Sequence, residues 1–154
     1  MGSLELKIDS KYRLFSLDVF SQKKEEMIPY TAIIDTGSEI SGLNERTARA
    51  LGIDIDRLQT RSTAGIGGVV VDTPTIQNLT LCFLGSDNVV SVKLPIVSIH
   101  RDTRRKVRKK ESGITVARGT ETTEVPNILG VDFLHQLKGK LCLDFQNSKY
   151  VIEW

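Results

Sequence analysis

At 154 residues, with 40% hydrophobic and 26% charged residues and a net charge of +2, the chain has the make-up of one soluble globular domain. So small a net charge gives no whole-molecule field toward nucleic acid or a membrane surface, and no apolar run approaches the roughly 20 residues that span a bilayer. The N-terminus lacks the apolar core of a secretory signal, and Leu6 stands where a myristoylation pattern needs Ser or Thr, so the expectation is a cytoplasmic protein or a soluble fragment of a longer precursor.

Taken in chain order, the dominant pattern is period-two alternation, which marks half-buried strands. Leu4, Leu6 and Ile8 alternate with polar residues, and Phe15, Leu17 and Val19 repeat the pattern. Tyr30 to Ile34 is a more continuous apolar run, as expected of a strand covered on both faces. A short helix follows, with Asn44 as its N-cap and Gly52 as its stop. Further strands are expected at Val69–Val71, Leu79–Leu84 and Val89–Ile99. A second helix is expected from about Val131 to Leu137, ended by Gly139. Leu141–Phe145 and Tyr150–Ile152 then form a hairpin around Gln146-Asn147-Ser148-Lys149. Many strands and one or two short helices make an all-β domain over residues 1–154.

The segment from about 100 to 124 breaks this pattern. It is charged, with Arg101, Arg104, Arg105, Lys106, Arg108, Lys109 and Lys110 clustered, and it reads as a solvated basic loop insertion. Nucleic-acid or acidic-partner binding is the minority reading, because no aromatic side chains interleave the charges to stack on bases. Cys82 and Cys142 sit in apolar runs and are expected as free, buried thiols, with a disulfide the alternative. His100 and His135 are isolated and lack metal-ligand spacing, so no metal site is expected.

The chemistry-bearing stretch is Ala32-Ile33-Ile34-Asp35-Thr36-Gly37-Ser38. A carboxylate directly after a buried strand needs donors or a proton, and Thr36, Gly37 and Ser38 supply hydroxyls and a close turn. An ordinary Asx turn closing a strand is the plainer alternative. Downstream, Gly65-Ile66-Gly67-Gly68 reads as a thin hairpin tip whose amides can approach a ligand. It is a poor phosphate loop, since no Lys-Ser or Lys-Thr follows. Ile128-Leu129-Gly130 is an apolar strand stopping at a glycine before the second helix.

These three elements, in this order, resemble the retropepsin family of single-domain aspartic peptidases, over about Tyr30 to Phe145. The resemblance implies a closed-barrel-like acid-protease fold in which Asp35 is catalytic and Thr36, Gly37 and Ser38 support it. Gly65, Ile66, Gly67 and Gly68 would form the flap over substrate, and Ile128, Leu129 and Gly130 would pack beneath the Asp35 loop. Thr36 would bond across a twofold axis, Gly37 would accept hydrogen bonds from substrate backbone, Ser38 would bond the Asp35 carboxylate, and Ile66 would reach substrate through a water. Such a site needs two carboxyls sharing a proton, and this chain has a single Asp-Thr-Gly. Asp72-Thr73-Pro74 is no substitute, so a homodimer must supply the second Asp35. No metal or organic cofactor is implied, and the substrate would be an extended polypeptide.

The pattern departs from viral relatives at Val131, where an Arg often follows the glycine and braces an acid; Glu39 stands at the acid's place without that partner. Tyr150, Ile152 and Trp154 are candidates for stabilising the dimer instead, or else they complete the subunit's own core. The competing function, from another class, is a catalytically weak or silent dimeric module that binds extended peptides in the same groove.

Overall fold

The computed structural model describes residues 1–64 and 70–154, with strands in most of the chain. The first strands are β1 (Ser3–Glu5), β2 (Lys7–Ile8), β3 (Phe15–Lys23) and β4 (Glu26–Ile34). Beyond Asp35 come β5 (Gly42–Asn44), helix α1 (Glu45–Ala50) and a 3-10 turn at Ile55–Arg57. Next are β6 (Thr60–Ala64), β7 (Val70–Leu84), β8 (Val89–His100), β9 (Thr103–Glu111) and β10 (Ile114–Thr123). The chain finishes with β11 (Asn127–Leu129), α2 (Val131–Leu137), β12 (Lys140–Asp144) and β13 (Lys149–Glu153). Among the described residues, no helix is long and apolar enough to cross a membrane.

Eight strands form one sheet in the order β2-β3-β4-β11-β5-β8-β7-β6. A further pairing, Phe20 with Cys82 and Ser21 with Leu81, joins β3 to β7 and closes six of these strands into a ring. Closure removes open strand edges and gives the inward side chains a shared interior. Leu17, Val19, Ala32, Ile34, Leu81, Phe83, Leu94 and Val97 fill it, and Phe133 from α2 and Ile152 from β13 seal it from outside the ring. Each such side chain contributes about 1.5–3 kcal/mol by leaving water.

Both helices begin and end as their residues dictate. The Asn44 side chain accepts from Thr47 N–H at 2.8 Å, and Gly52, at φ +78°, takes the left-handed turn that ends α1. At the end of α2 the left-handed position falls on Lys138 (φ +55°), one residue before the expected Gly139.

The basic segment expected as a loop is instead an antiparallel hairpin, β9 against β10, from Thr103↔Thr123 to Glu111↔Ile114. Ser112 and Gly113 both have positive φ, +50° and +81°, the turn that matches strand twist in a two-residue connection. This ribbon forms its own two-stranded sheet. Its sequence carries no apolar alternation, leaving Ser112-Gly113 as the readable sign.

At the termini, β1 pairs β13 and β13 pairs β12, giving a three-stranded sheet in the order β1-β13-β12. Trp154 exchanges backbone hydrogen bonds with Gly2, at 2.7 and 3.0 Å, and packs edge-on against Phe83. Ile152 is wholly buried, so Ile152 and Trp154 serve the subunit's own core. Cys82 and Cys142 are free but half-buried rather than fully enclosed, and Cys82 Sγ lies 3.1 Å from Ser91 Oγ.

Candidate active site

Asp35 follows directly on β4, whose last three residues, Ala32, Ile33 and Ile34, are buried. Parallel pairing of β11 with β4 sets Ile128 beside Ile33 and Leu129 beside Ile34. The same register continues into the loop, where Asp35 N–H donates to the Leu129 carbonyl at 3.0 Å. The backbone then turns: Ser38 N–H donates to the Asp35 carbonyl at 3.1 Å, and Gly37 N–H donates to Asp35 Oδ1 at 2.9 Å. The carboxylate is thus held by one oxygen and exposed at the rim of the barrel. Thr36 is exposed beside it.

The Ser38 hydroxyl does not reach the Asp35 carboxylate as expected. It donates to the Ile40 carbonyl at 2.7 Å and so shapes the loop's exit rather than the acid. A serine hydroxyl two residues before a free carbonyl closes a local turn more readily than it reaches back over Gly37.

The loop rests on the start of α2. Val131 N–H donates to the Ser38 carbonyl at 2.8 Å and Asp132 N–H to the Glu39 carbonyl at 3.3 Å. Gly130 is required by this close approach, since a Cβ there would lie 2.6 Å from the Ser38 carbonyl oxygen. The strongest tie is a carboxylate that the sequence pattern did not single out. Asp132 accepts Ser41 N–H at 3.0 Å to each oxygen and the Ser41 hydroxyl at 2.6 Å. The Asp132 Oδ1 atom also accepts Phe133 N–H at 2.8 Å, and Ser41 Oγ accepts Gly130 N–H at 3.0 Å. This clamp braces the loop where Val131 offers Glu39 no basic partner. Its only sequence sign is an acid in the first turn of α2, where it suits the positive end of the helix.

A second polar network lies below. Asn127, buried, accepts Asn44 N–H at 2.8 Å and donates to the Thr31 carbonyl and to Thr47 Oγ1, both at 3.0 Å. It ties β4, β11 and α1 together just beneath the Asp35 loop. Among the described residues no buried side-chain nitrogen or oxygen is left without a partner.

Of the sequence-predicted residues, Asp35, Thr36, Gly37, Ser38, Ile128, Leu129 and Gly130 therefore converge on one loop-and-strand unit. Gly65, Ile66, Gly67 and Gly68 lie outside the described residues; the arms leading to them, β6 and β7, pair from Thr60↔Pro74 to Ala64↔Val70. A cavity of about 440 Å³ sits elsewhere, lined by Tyr12, Thr31, Asn44, Arg46, Glu124 and Asn127 among others and not by Asp35.

Comparison with known proteins agrees with this geometry. A solved structure, the crystal structure of a retropepsin-like aspartic protease from Rickettsia conorii, superposes with a TM-score of 0.56 at 16% identity. The match covers 98% of this chain and 89% of that one, so the fold is retropepsin-like. No curated protein matches the sequence. A family model described as aspartyl protease matches residues 24–133, which include the Asp35 loop, both arms of the β6–β7 hairpin and the Ile128-Leu129-Gly130 strand. The chain belongs to the aspartyl protease family.

Proposed function

We propose that the protein is an aspartic endopeptidase whose active site forms when two copies bring their Asp35 carboxyls together. The observation that carries the reading is the Asp35 loop itself: one exposed carboxylate, oriented by Gly37 N–H, on a braced turn, in a chain with a single Asp-Thr-Gly. Two carboxyls held within hydrogen-bonding distance cannot both ionise easily and share a proton. The ionised partner then draws a proton from a bound water as it attacks the scissile carbonyl, and the protonated partner supplies a proton to the carbonyl oxygen. Proton positions exchange as the tetrahedral intermediate collapses and the amine leaves.

Thr36, exposed beside Asp35, would hydrogen-bond across the twofold axis and fix the pair. Substrate would lie extended along the rim, with Gly65, Ile66, Gly67 and Gly68, in the segment between β6 and β7, covering it as the retropepsin resemblance implies. The test is cleavage of an unfolded polypeptide by the native chain and by Asp35→Asn, each with its mass in solution measured. Cleavage by the native dimer that falls to background in an equally dimeric Asp35→Asn protein is the expected result. Cleavage that persists in Asp35→Asn refutes the assignment of the acid.

A further inference from the structure

Positive charge in this chain is concentrated on the β9–β10 ribbon. Between Thr103 and Thr123 the sequence has seven Lys or Arg and two Glu, a net charge of +5 in a chain of net +2, so the remaining residues are net acidic. The pairing register sorts this charge by face. Successive residues of a strand alternate between faces, and directly paired residues share one. Arg104, Lys106, Arg108 and Lys110 therefore fall on one face, paired with Thr122, Thr120, Ala117 and Thr115. Both glutamates fall on the other, where Glu121 pairs with Arg105 and Glu111 with Ile114, beside the Lys109–Val116 pair. The register shift between Ala117 and Thr120 leaves the alternation along β9 unbroken. One face thus carries four cations and no acid, at a repeat of about 6.8 Å over a length of about 20 Å.

The ribbon is tied down at its root. Arg101 donates to Asp56 at 2.9 Å, and Val125 N–H donates to Asp102 at 3.4 Å. The Tyr12 hydroxyl donates to the Glu124 carbonyl and Asn44 to the Val125 carbonyl, both at 3.0 Å. Along its length the ribbon is open: a Cβ at Gly113 or Gly119 would meet nothing within 4 Å, and Thr115, Thr120 and Thr122 are exposed. Its root is also close to the candidate site. Leu129, whose carbonyl accepts Asp35 N–H, is six residues beyond Thr123, so Thr123 lies within about 25 Å of Asp35.

From this one-sided charge and this proximity we propose that the ribbon is a substrate-docking arm. It holds an acidic segment of an unfolded polypeptide, extended along the four-cation face, while another stretch of the same polypeptide enters the Asp35 site. The proposal rests on the peptidase reading and names the class of substrate. The repeat selects the occupant. An extended polypeptide also presents every second side chain on one face at about 6.8 Å, so acids at alternate positions match the four cations in step. A nucleic acid fits less well, because no aromatic side chain between 103 and 123 can stack on its bases. Single exposed ion pairs are weak, but four acting on a tethered segment raise the local concentration of the stretch to be cleaved. The gain falls on KM rather than kcat, by about tenfold.

Binding is measured on the full Asp35→Asn chain by fluorescence anisotropy of a labelled Glu-Ser repeat peptide with four glutamates. The comparison probes are a Gln-Ser repeat, a peptide of four consecutive glutamates followed by four serines, and a single-stranded oligonucleotide of equal charge. The alternating acidic peptide should bind tightest. Lys106→Thr with Arg108→Thr should weaken it about tenfold. Arg105→Thr with Lys109→Thr removes the same charge from the other face and should weaken it by less than about twofold. Threonine suits a strand, and circular dichroism checks that both variants keep the fold. In cleavage by the native chain, an unfolded polypeptide with a Glu-Ser tail should have a KM about tenfold below that of its Gln-Ser counterpart. Lys106→Thr with Arg108→Thr should erase that difference and leave kcat unchanged. Equal weakening by the two variant pairs, or an oligonucleotide that binds tighter through Lys106 and Arg108, overturns the docking arm. A KM indifferent to the tail does so too, and Asp35-dependent cleavage in that case leaves the peptidase reading standing. Face-specific binding by a chain that cleaves no unfolded polypeptide sinks the peptidase reading and keeps the ribbon as an acidic-segment site.

Discussion

Removing the Asp132 carboxylate should both destabilise the protein and disable the proposed catalytic loop around Asp35. Three groups donate to Asp132: Ser41 N–H, the Ser41 hydroxyl and Phe133 N–H. Ser41 is only 1% exposed, so water does not replace the acceptor when Asp132 becomes alanine. Each buried donor left unsatisfied costs about 1–3 kcal/mol. Because the donors share one carboxylate their costs overlap, and about 3–5 kcal/mol is expected for Asp132→Ala. Asp132→Asn keeps an acceptor at Oδ1 but turns an amide NH2 toward Ser41 N–H where Oδ2 accepted, so about 1–2 kcal/mol is expected. The loop between Asp35 and Ser41 would also lose its anchor. A displacement near 1 Å of a reacting group can cost about 100-fold in rate, so kcat should fall by that order in the alanine variant while KM changes little. Urea unfolding at fixed protein concentration measures the stability, and steady-state cleavage of an unfolded polypeptide measures the rate. An alanine variant within about 1 kcal/mol of native refutes the clamp as a stabilising element. A destabilised variant whose folded fraction keeps its kcat refutes the claim that the clamp positions Asp35.

Three further expectations follow from the geometry. Gly130→Ala would force a Cβ to within 2.6 Å of the Ser38 carbonyl oxygen, so the variant should lose about 3 kcal/mol or more in denaturant unfolding and most of its cleavage activity. Asn127→Ala would strand Asn44 N–H in the interior and remove the donor to the Thr31 carbonyl, costing about 1–3 kcal/mol; the melting temperature should fall, whereas a neutral outcome would mean the network is dispensable. Burial drives the Tyr30 hydroxyl up from 10.0 to about 12, against a smaller opposite pull from Ser21, whose Oγ lies 2.8 Å away. Between those values the unfolded chain has lost a proton that the folded chain retains, so stability falls as pH rises from 10 toward 12, by at most about 3 kcal/mol. Tyr30→Phe should flatten that alkaline limb in urea titrations, and a limb that persists unchanged would assign it to another group.

Local chemistry marked the Asp35 turn, the Asn44 cap, the Gly52 stop and most of the alternating strands, because each depends on neighbours a few positions away. Where a strand carries no apolar alternation this reading fails, as it did for β9 and β10, whose pairing is recorded only in the turn at Ser112-Gly113. It also fails for Ser38, whose hydroxyl chose the Ile40 carbonyl over the acid, a competition between two acceptors that spacing does not rank.

The sequence alone marked Asp35 as the candidate carboxylate, since Asp-Thr-Gly after a buried strand is a local arrangement. Only the tertiary structure decided what holds that carboxylate still. Ser41 and Asp132 are 91 positions apart, and Asn127 is 96 from Thr31. Their hydrogen bonds exist because parallel pairing of β11 with β4 delivers the start of α2 beneath the loop. Non-local pairing of this kind leaves no periodic trace in either segment, because each side chain is shaped to a partner that the chain meets only once it has closed into a barrel.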